Sequence, residues 1–204
     1  MGVYREFVLP RLIDRLCGSR GMTRWRESVP AGLVGQVVEI GFGSGLNLEF
    51  LPAEVTGVFA VEPSATAMKL ALKRGVRTGV RVTHVGLDGE SIALADESCD
   101  SALCTFTLCT VADPAKALGE IHRVLRPGGS LHFLEHGIAP DPSVARWQRR
   151  LDPWEQRLAD GCHLARDPLS LVRHAGFSIE SIEQRYARGP RPWSYFTLGR
   201  ATKR

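Results

Sequence analysis

Between residues 36 and 134 the chain alternates short apolar runs with segments of helical spacing. The runs at 36–40, 56–61, 80–85, 99–106 and 130–134 are β-branched or largely apolar, as strands covered on both faces must be. Two of the intervening segments carry start signals: Ser64 before the stretch reaching Leu72, and Asp113-Pro114 before the one reaching Leu125. A short helix is expected over 46–51, ended by Pro52, and Arg126-Pro127-Gly128-Gly129 stops the helix before the fifth strand. Repeated strand–helix units with short connections imply an α/β fold: a doubly wound, mostly parallel sheet with helices on both faces. After residue 140 helical spacing runs through 146–158 and 168–175, and two strand-like runs, 177–182 and 193–198, bring the total to seven. The N-terminal part holds two short amphipathic stretches (Val3, Phe7, Val8; then Leu12, Ile13, Leu16) around Pro10, a stop at 18–21 and a mixed segment. One domain is expected, made of an N-terminal helical segment (1–35), a core (36–140) and a helical cap with the final strands (141–204).

Composition narrows the class. With 204 residues, 44% apolar and 24% charged, the chain can bury a sizeable core and is no disordered tail. The net charge of +4 is uneven: residues 1–30 carry +3, residues 31–140 carry −4 and residues 141–204 carry +5. No apolar run approaches the roughly 20 residues that span a bilayer. Charges at Arg5, Glu6, Arg11, Asp14 and Arg15 break any signal-peptide core, and Glu6 stands where acylation of Gly2 needs Ser or Thr. Five cysteines (Cys17, Cys99, Cys104, Cys109, Cys162) without a C-x-x-C pair fit a reducing, cytoplasmic setting rather than a disulfide scaffold or zinc ribbon. The arginines are scattered without aromatic interleaving, so no nucleic-acid partner is expected. Peripheral contact of the basic ends with an anionic membrane stays open.

The chemistry concentrates where the first strand turns. Glu39-Ile40-Gly41-Phe42-Gly43-Ser44-Gly45 lies at the carboxyl end of that strand, where doubly wound sheets bind ligands and where glycine admits positive φ and close approach. Glu62 ends the next strand, 21 positions after Gly41, as a carboxylate placed to accept bonds from both hydroxyls of a ribose. The alternatives are a merely structural turn, NAD, and S-adenosylmethionine (SAM). The spacing G-x-G-x-G departs from the dinucleotide G-x-G-x-x-G, and Glu49 brings a negative charge into the first helical turn. A pyrophosphate disfavours that charge and a cationic ligand tolerates it, so SAM is the favoured reading.

These residues carry a resemblance. Glu39–Gly45, Glu62-Pro63 and Arg126–Gly129 look like the successive motifs of class I SAM-dependent methyltransferases. Asp88-Gly-Glu-Ser-Ile-Ala-Leu94 with Asp96–Asp100 is similar to the corresponding stretch of the ubiquinone-type subgroup, with Gly89 for the usual Ala and Ala93 for the usual Pro. The resemblance implies a Rossmann-like methyltransferase fold, with Glu62 on the ribose, Asp88 and Gly89 beside the adenine, and Gly41, Gly43 and Gly45 against the methionine moiety. A more specific likeness, to the methyltransferase-like thiol S-methyltransferases and their bacterial relatives, rests on Cys104–Cys109, Phe133–His136, Trp147-Gln148, Leu151–Trp154 and Asp160–Arg166. It implies a small, fairly apolar acceptor, a thiol in the first instance. Methylation of a phospholipid head group or another amine is the rival within the class, and a SAM-binding sensor or scaffold is the rival outside catalysis. The animal members of that group carry an N-terminal hydrophobic membrane segment, and none occurs in these 204 residues.

Acceptor-side candidates follow from position. His136 follows the fifth strand and is the acid/base candidate, because an imidazole takes a proton near neutral pH. Thr105, at the end of the fourth strand, is assigned to the cofactor, although periodicity alone does not separate it from Thr107. Cys109, Trp147 and Cys162 are candidates for the substrate pocket, with burial as a small hydrophobe or helix packing as the alternatives. No metal is expected, since Cys162-His163 has no second pair at ligand spacing.

Overall fold

The apolar runs pair into one sheet. The computed structural model describes residues 4–159 and 161–204. Its strands are β1 (Gly35–Ile40), β2 (Val55–Val61), β3 (Val82–Gly86), β4 (Cys99–Thr105), β5 (Leu125–His136), β6 (Phe177–Tyr186) and β7 (Tyr195–Lys203). Across the sheet they run β3-β2-β1-β4-β5-β7-β6. Strands β1 to β5 pair in parallel, while β7 inserts antiparallel between β5 and β6. The strand order reverses between β1 and β4, which opens a crevice at their carboxyl ends.

The helices are α1 (Leu9–Cys17), α2 (Arg20–Ser28), α3 (Ala65–Thr78), α4 (Pro114–Val124), α5 (Pro142–Leu158), α6 (Pro168–His174) and the short α7 (Arg191–Ser194). On one face Leu118 and Ile121 of α4 and Val172 of α6 join Val38, Ala102, Leu131 and Phe133 in a single apolar cluster. On the other, Trp25 of α2 and Met68 and Ala71 of α3 meet Val37, Val58, Leu103 and Leu134. Burying each larger aliphatic side chain contributes about 1.5–3 kcal/mol, so these two layers hold the sheet. The expected caps are in place. Ser64 Oγ accepts from Ala67 N at 3.1 Å, and Asp113 Oδ1 accepts from the amides of Ala115 and Lys116.

Several local expectations change. Over 46–51 only Leu48–Phe50 forms a single 3-10 turn, because Pro52 restricts Leu51 to extended backbone (ψ 135°). Residues 20–28 are helical despite Gly21, and Trp193 belongs to α7, with β7 starting two residues later. The stripe of Leu151, Trp154 and Leu158 reads in the sequence as helix-to-sheet packing, but α5 does not turn it inward: Trp154 and Leu158 are both 63% exposed, and Val144, Ala145 and Gln148 are the buried residues instead. Leu12, Ile13 and Leu16 of α1 are likewise exposed. The readings at Met1, Gly2, Val3 and Asp160 lie outside the described residues, as do the side chains of Arg5 and Glu6. Among the described residues no helix is long and apolar enough to cross a membrane.

Candidate active site

A cavity of about 660 Å³ occupies the crevice, walled by the turns that leave β1 to β4 and by Leu9, Pro10, Ile13 and Cys17 of α1. Gly41, Gly43 and Gly45 all have positive φ, from 57° to 72°. A Cβ on Gly41 would stand 2.0 Å from Thr107 Oγ1, whereas one on Gly43 meets nothing closer than 3.8 Å. Gly43 thus presents open backbone to the cavity. Gly45 is not on the wall; it packs against Leu48 and Ala71 and lets the turn close on α3. Glu62 fixes the shape of the turn from the next strand: its Oε2 accepts from Gly43 N and its Oε1 from Ser64 N, both at 2.8 Å. Asp88 and Gly89 lie on the wall after β3. A Cβ at Gly89 would come within 2.6 Å of Ile40 Cγ2, which explains glycine where relatives of this type place alanine. Glu49 faces solvent and pairs with Arg77 at 3.1 Å, so the charge it brings to the chain is spent outside the cavity wall.

Beneath the turn runs a buried polar chain. Arg26 Nη1 donates to Asn47 Oδ1 at 2.7 Å, and Asn47 Nδ2 donates to Glu39 Oε1 at 2.7 Å and to Thr105 Oγ1 at 3.1 Å. Glu39 Oε2 is buried without a hydrogen-bond partner among the described residues. Burial pushes the Glu39 carboxyl up to about 8, against the bond from Asn47 and the charge of Arg26. Thr105 and Thr107 are both on the cavity wall; Thr105 belongs to this chain, and Thr107 also latches the turn, its hydroxyl donating to Ile40 O at 3.1 Å.

On the far side of β4 the backbone reverses at Phe106, which adopts φ +55°. The reversal aims three successive amides at Glu135: Thr107 N and Leu108 N donate to Oε1 at 2.8 and 3.0 Å, and Cys109 N to Oε2 at 3.3 Å. Burial raises the Glu135 carboxyl to about 8. Next to it, His136 Nε2 lies 2.9 Å from Cys162 Sγ, and one ligand atom each of Cys109, His136 and Cys162 falls within 4.8 Å of the others. A hydrogen bond from the Cys162 thiol, outweighing burial and helped by His136, holds Cys109 well below the usual thiol range. Burial alone would lower His136, but Cys109 and then Glu135 outweigh it and raise the imidazole to about 9. The fold therefore gathers three of the acceptor-side candidates at one point. It leaves out the fourth: Trp147 is 57% exposed, stands outside the cavity wall and stacks under Arg150.

The chain is similar to known proteins. A family model described as a methyltransferase domain matches residues 38–133. The chain is 35% identical to the thiol S-methyltransferase TMT1B of Rattus norvegicus over 171 residues, covering 80% of this chain and 66% of that protein. It is 32% identical to the human thiol S-methyltransferase TMT1A, covering 80% of this chain and 67% of the relative. The chain belongs to the class I SAM-dependent methyltransferases. A SAM-dependent methyltransferase from Thermotoga maritima superposes with a TM-score of 0.70 at 25% identity, over 98% of each chain. The chain thus spans about two thirds of the length of the curated relatives it matches.

The site fits the cofactor of this methyltransferase family. A buried carboxylate oxygen without a partner is what an ammonium group needs, and a glycine with open space at its Cβ position admits a ligand to the backbone. Sequence reasoning had reached Glu39, Glu62 and the glycines, but not Asn47, Arg26, Glu135 or Arg166. Asn47 sits two residues past Gly45 and was readable as part of the turn. Arg26 had no local signal, because it acts across 21 residues. Arg166 is clamped by a tertiary contact, its Nη1 donating to Leu108 O and Val111 O at 2.7 Å each.

Proposed function

We propose that this protein transfers the methyl group of SAM to the sulfur of a small, fairly apolar thiol. The reading is carried by the Cys109–His136–Cys162 group, which lies behind the cavity wall next to Thr110, and it agrees with the activity in the names of the relatives at 32–36% identity. When bound, SAM supplies an electrophilic methyl group on a sulfonium centre. Glu62 and Asp88 are assigned to the ribose and adenine sides of the cavity, Gly41 and Gly43 to the methionine side, and Glu39 with Asn47 to its ammonium. Thr105 orients Asn47 from beneath. A thiol must lose its proton to become a strong nucleophile, and His136 with Cys109 is the pair that takes it. The Cys109 thiol is shifted down with the help of His136, and the His136 imidazole is shifted up mainly by Cys109, so each supports the charged form of the other. Holding the acceptor in line with the methyl group accounts for several kcal/mol of the barrier, of a range that reaches about 7–11.

The test is an acceptor panel with isotopically labelled SAM: alkyl thiols, amines and phospholipid vesicles. Labelled thioether is the expected product, and labelled amine or lipid alone overturns the reading. His136→Ala is expected to lower the thiol rate about 100-fold at pH 7, and an unchanged rate across pH 6–9 removes the pair from the mechanism. The single domain, the cytoplasmic setting and peripheral contact with anionic membranes belong to the same proposal. The last is supported by the exposed Leu12, Ile13 and Leu16 beside Arg11 and Arg15. Salt-independent absence of co-sedimentation with anionic liposomes removes it.

A further inference from the structure

Cys109, His136 and Cys162 come from three segments: the loop after β4, the end of β5 and the turn after α5. Sequence spacing hides them as a set, since His136 and Cys162 alone are 26 residues apart. Folding brings a ligand atom of each to within 4.8 Å of the others, and among the described residues no other cluster of this kind forms. A tetrahedral zinc ion holds sulfur at ~2.3 Å and nitrogen at ~2.0 Å, which sets neighbouring donors about 3.5–3.8 Å apart. The His136–Cys162 separation of 2.9 Å and the 4.8 Å limit bracket that spacing.

The backbone beneath these donors is held independently of them. His163 N donates to Cys109 O at 2.7 Å, which joins the turn of Cys162 to the loop of Cys109. Arg166 clamps the same loop through Leu108 O and Val111 O, and Asp152 Oδ1 accepts from Leu164 N at 2.6 Å. Glu135 fixes the other edge by accepting from Cys109 N. Such bracing is what a ligand set needs in order to keep its geometry. The donor set is soft, two sulfurs and one imidazole, and selects zinc-like ions over magnesium or calcium. Two thiolates also cancel the charge of a dication, which a buried site requires.

Three protein donors leave one position open, the pattern of reactive rather than closed structural sites. The donors lie one residue layer behind the cavity wall. Thr110, on the cavity wall, has its Oγ1 3.5 Å from Cys109 Sγ. Ala159, also on the wall, accepts the Cys162 amide at 3.1 Å.

We propose that Cys109, His136 and Cys162 bind one thiophilic divalent cation of the zinc class, and that its fourth position faces the cavity and takes the acceptor thiol as thiolate. The identity of that fourth ligand rests on the thiol reading above. On binding, the acceptor sulfur forms a bond to the cation and its S–H proton leaves to water; no electron changes hands. With the cation in place, the cation rather than the Cys109–His136 pair keeps the acceptor deprotonated.

The full chain, stripped with a chelator and titrated with Co²⁺, tests this directly. About one equivalent is expected to bind, with tetrahedral visible bands and thiolate-to-cobalt charge-transfer absorption. The Cys109→Ser/Cys162→Ser double variant is expected to lose that absorption and about 100-fold in affinity. Because buried changes can unfold a chain, His136→Cys is the second variant: it keeps three donors and is expected to retain the ion with about half again the charge-transfer intensity. Adding an alkyl thiol to the cobalt-loaded wild type is expected to raise that intensity by a similar fraction. No stoichiometric binding by the wild type, or equal binding by the double serine variant, overturns the site. Binding without a response to thiol overturns the open position. A methylation panel without thioether product overturns the proposed function and leaves the cobalt titration standing.

Discussion

Glu39 is the residue whose burial is most at odds with its charge. It is 1% exposed, one oxygen accepts from Asn47, and the other has no partner among the described residues. With the folded carboxyl raised to about 8 from 4.5, the folded chain keeps a proton that the unfolded chain releases. Unfolding is therefore favoured increasingly as pH rises from about 4.5 to about 8, by about 1.4 kcal/mol per pH unit at most for this group. Glu39→Gln is expected to flatten that decline in urea titrations between pH 5 and pH 8.5 while lowering affinity for S-adenosylhomocysteine at least ~10-fold, a hydrogen bond to a charged group being worth about 1.5–3 kcal/mol. A variant with the same pH slope as the wild type refutes the role of burial here. The acidic residue was readable because it stands two positions before Gly41; its unpaired oxygen was not, since that depends on Asn47 and Arg26 arriving from elsewhere.

Among the elements, the turn after β1 is the most exacting. Its backbone approaches the loop after β4 so closely that a Cβ on Gly41 would overlap Thr107, and its φ of 68° disfavours any other residue. Gly41→Ala is expected to cost on the order of 2 kcal/mol of stability and to lose cofactor binding, read by thermal unfolding and calorimetry. An alanine variant with unchanged melting and affinity contradicts the contact. Glycines at a strand end announced this turn, and cap residues announced α3 and α4, because those signals are local. The stripe of α5 misled for the opposite reason. Apolar spacing says which face of a helix is apolar, but whether that face meets the sheet depends on neighbours, and here Gln148 turns inward to serve Ala139 N and Gly137 O.

Taken whole, the chain places its acidic middle, residues 31–140, around the cavity, while α1 and Ala159, just past α5, join its wall from the basic flanks. Strands from the middle and the final segment share one continuous sheet. Unfolding is accordingly expected as one transition, with circular dichroism and the fluorescence of buried Trp25 and exposed Trp147, Trp154 and Trp193 changing together. Separate midpoints mark the C-terminal segment as a second unit. Periodicity, glycine placement and caps sufficed for the α/β class and the parallel core, and pointed to the acids and glycines proposed for the cofactor side, since each acts within a few residues of where it is written. The insertion of β7 between β5 and β6, the polar chain from Arg26 to Glu39, and the meeting of Cys109, His136 and Cys162 belong to the tertiary structure. They join segments tens of residues apart, and such contacts follow from how the sheet is ordered and packed, which no local stretch of the chain encodes.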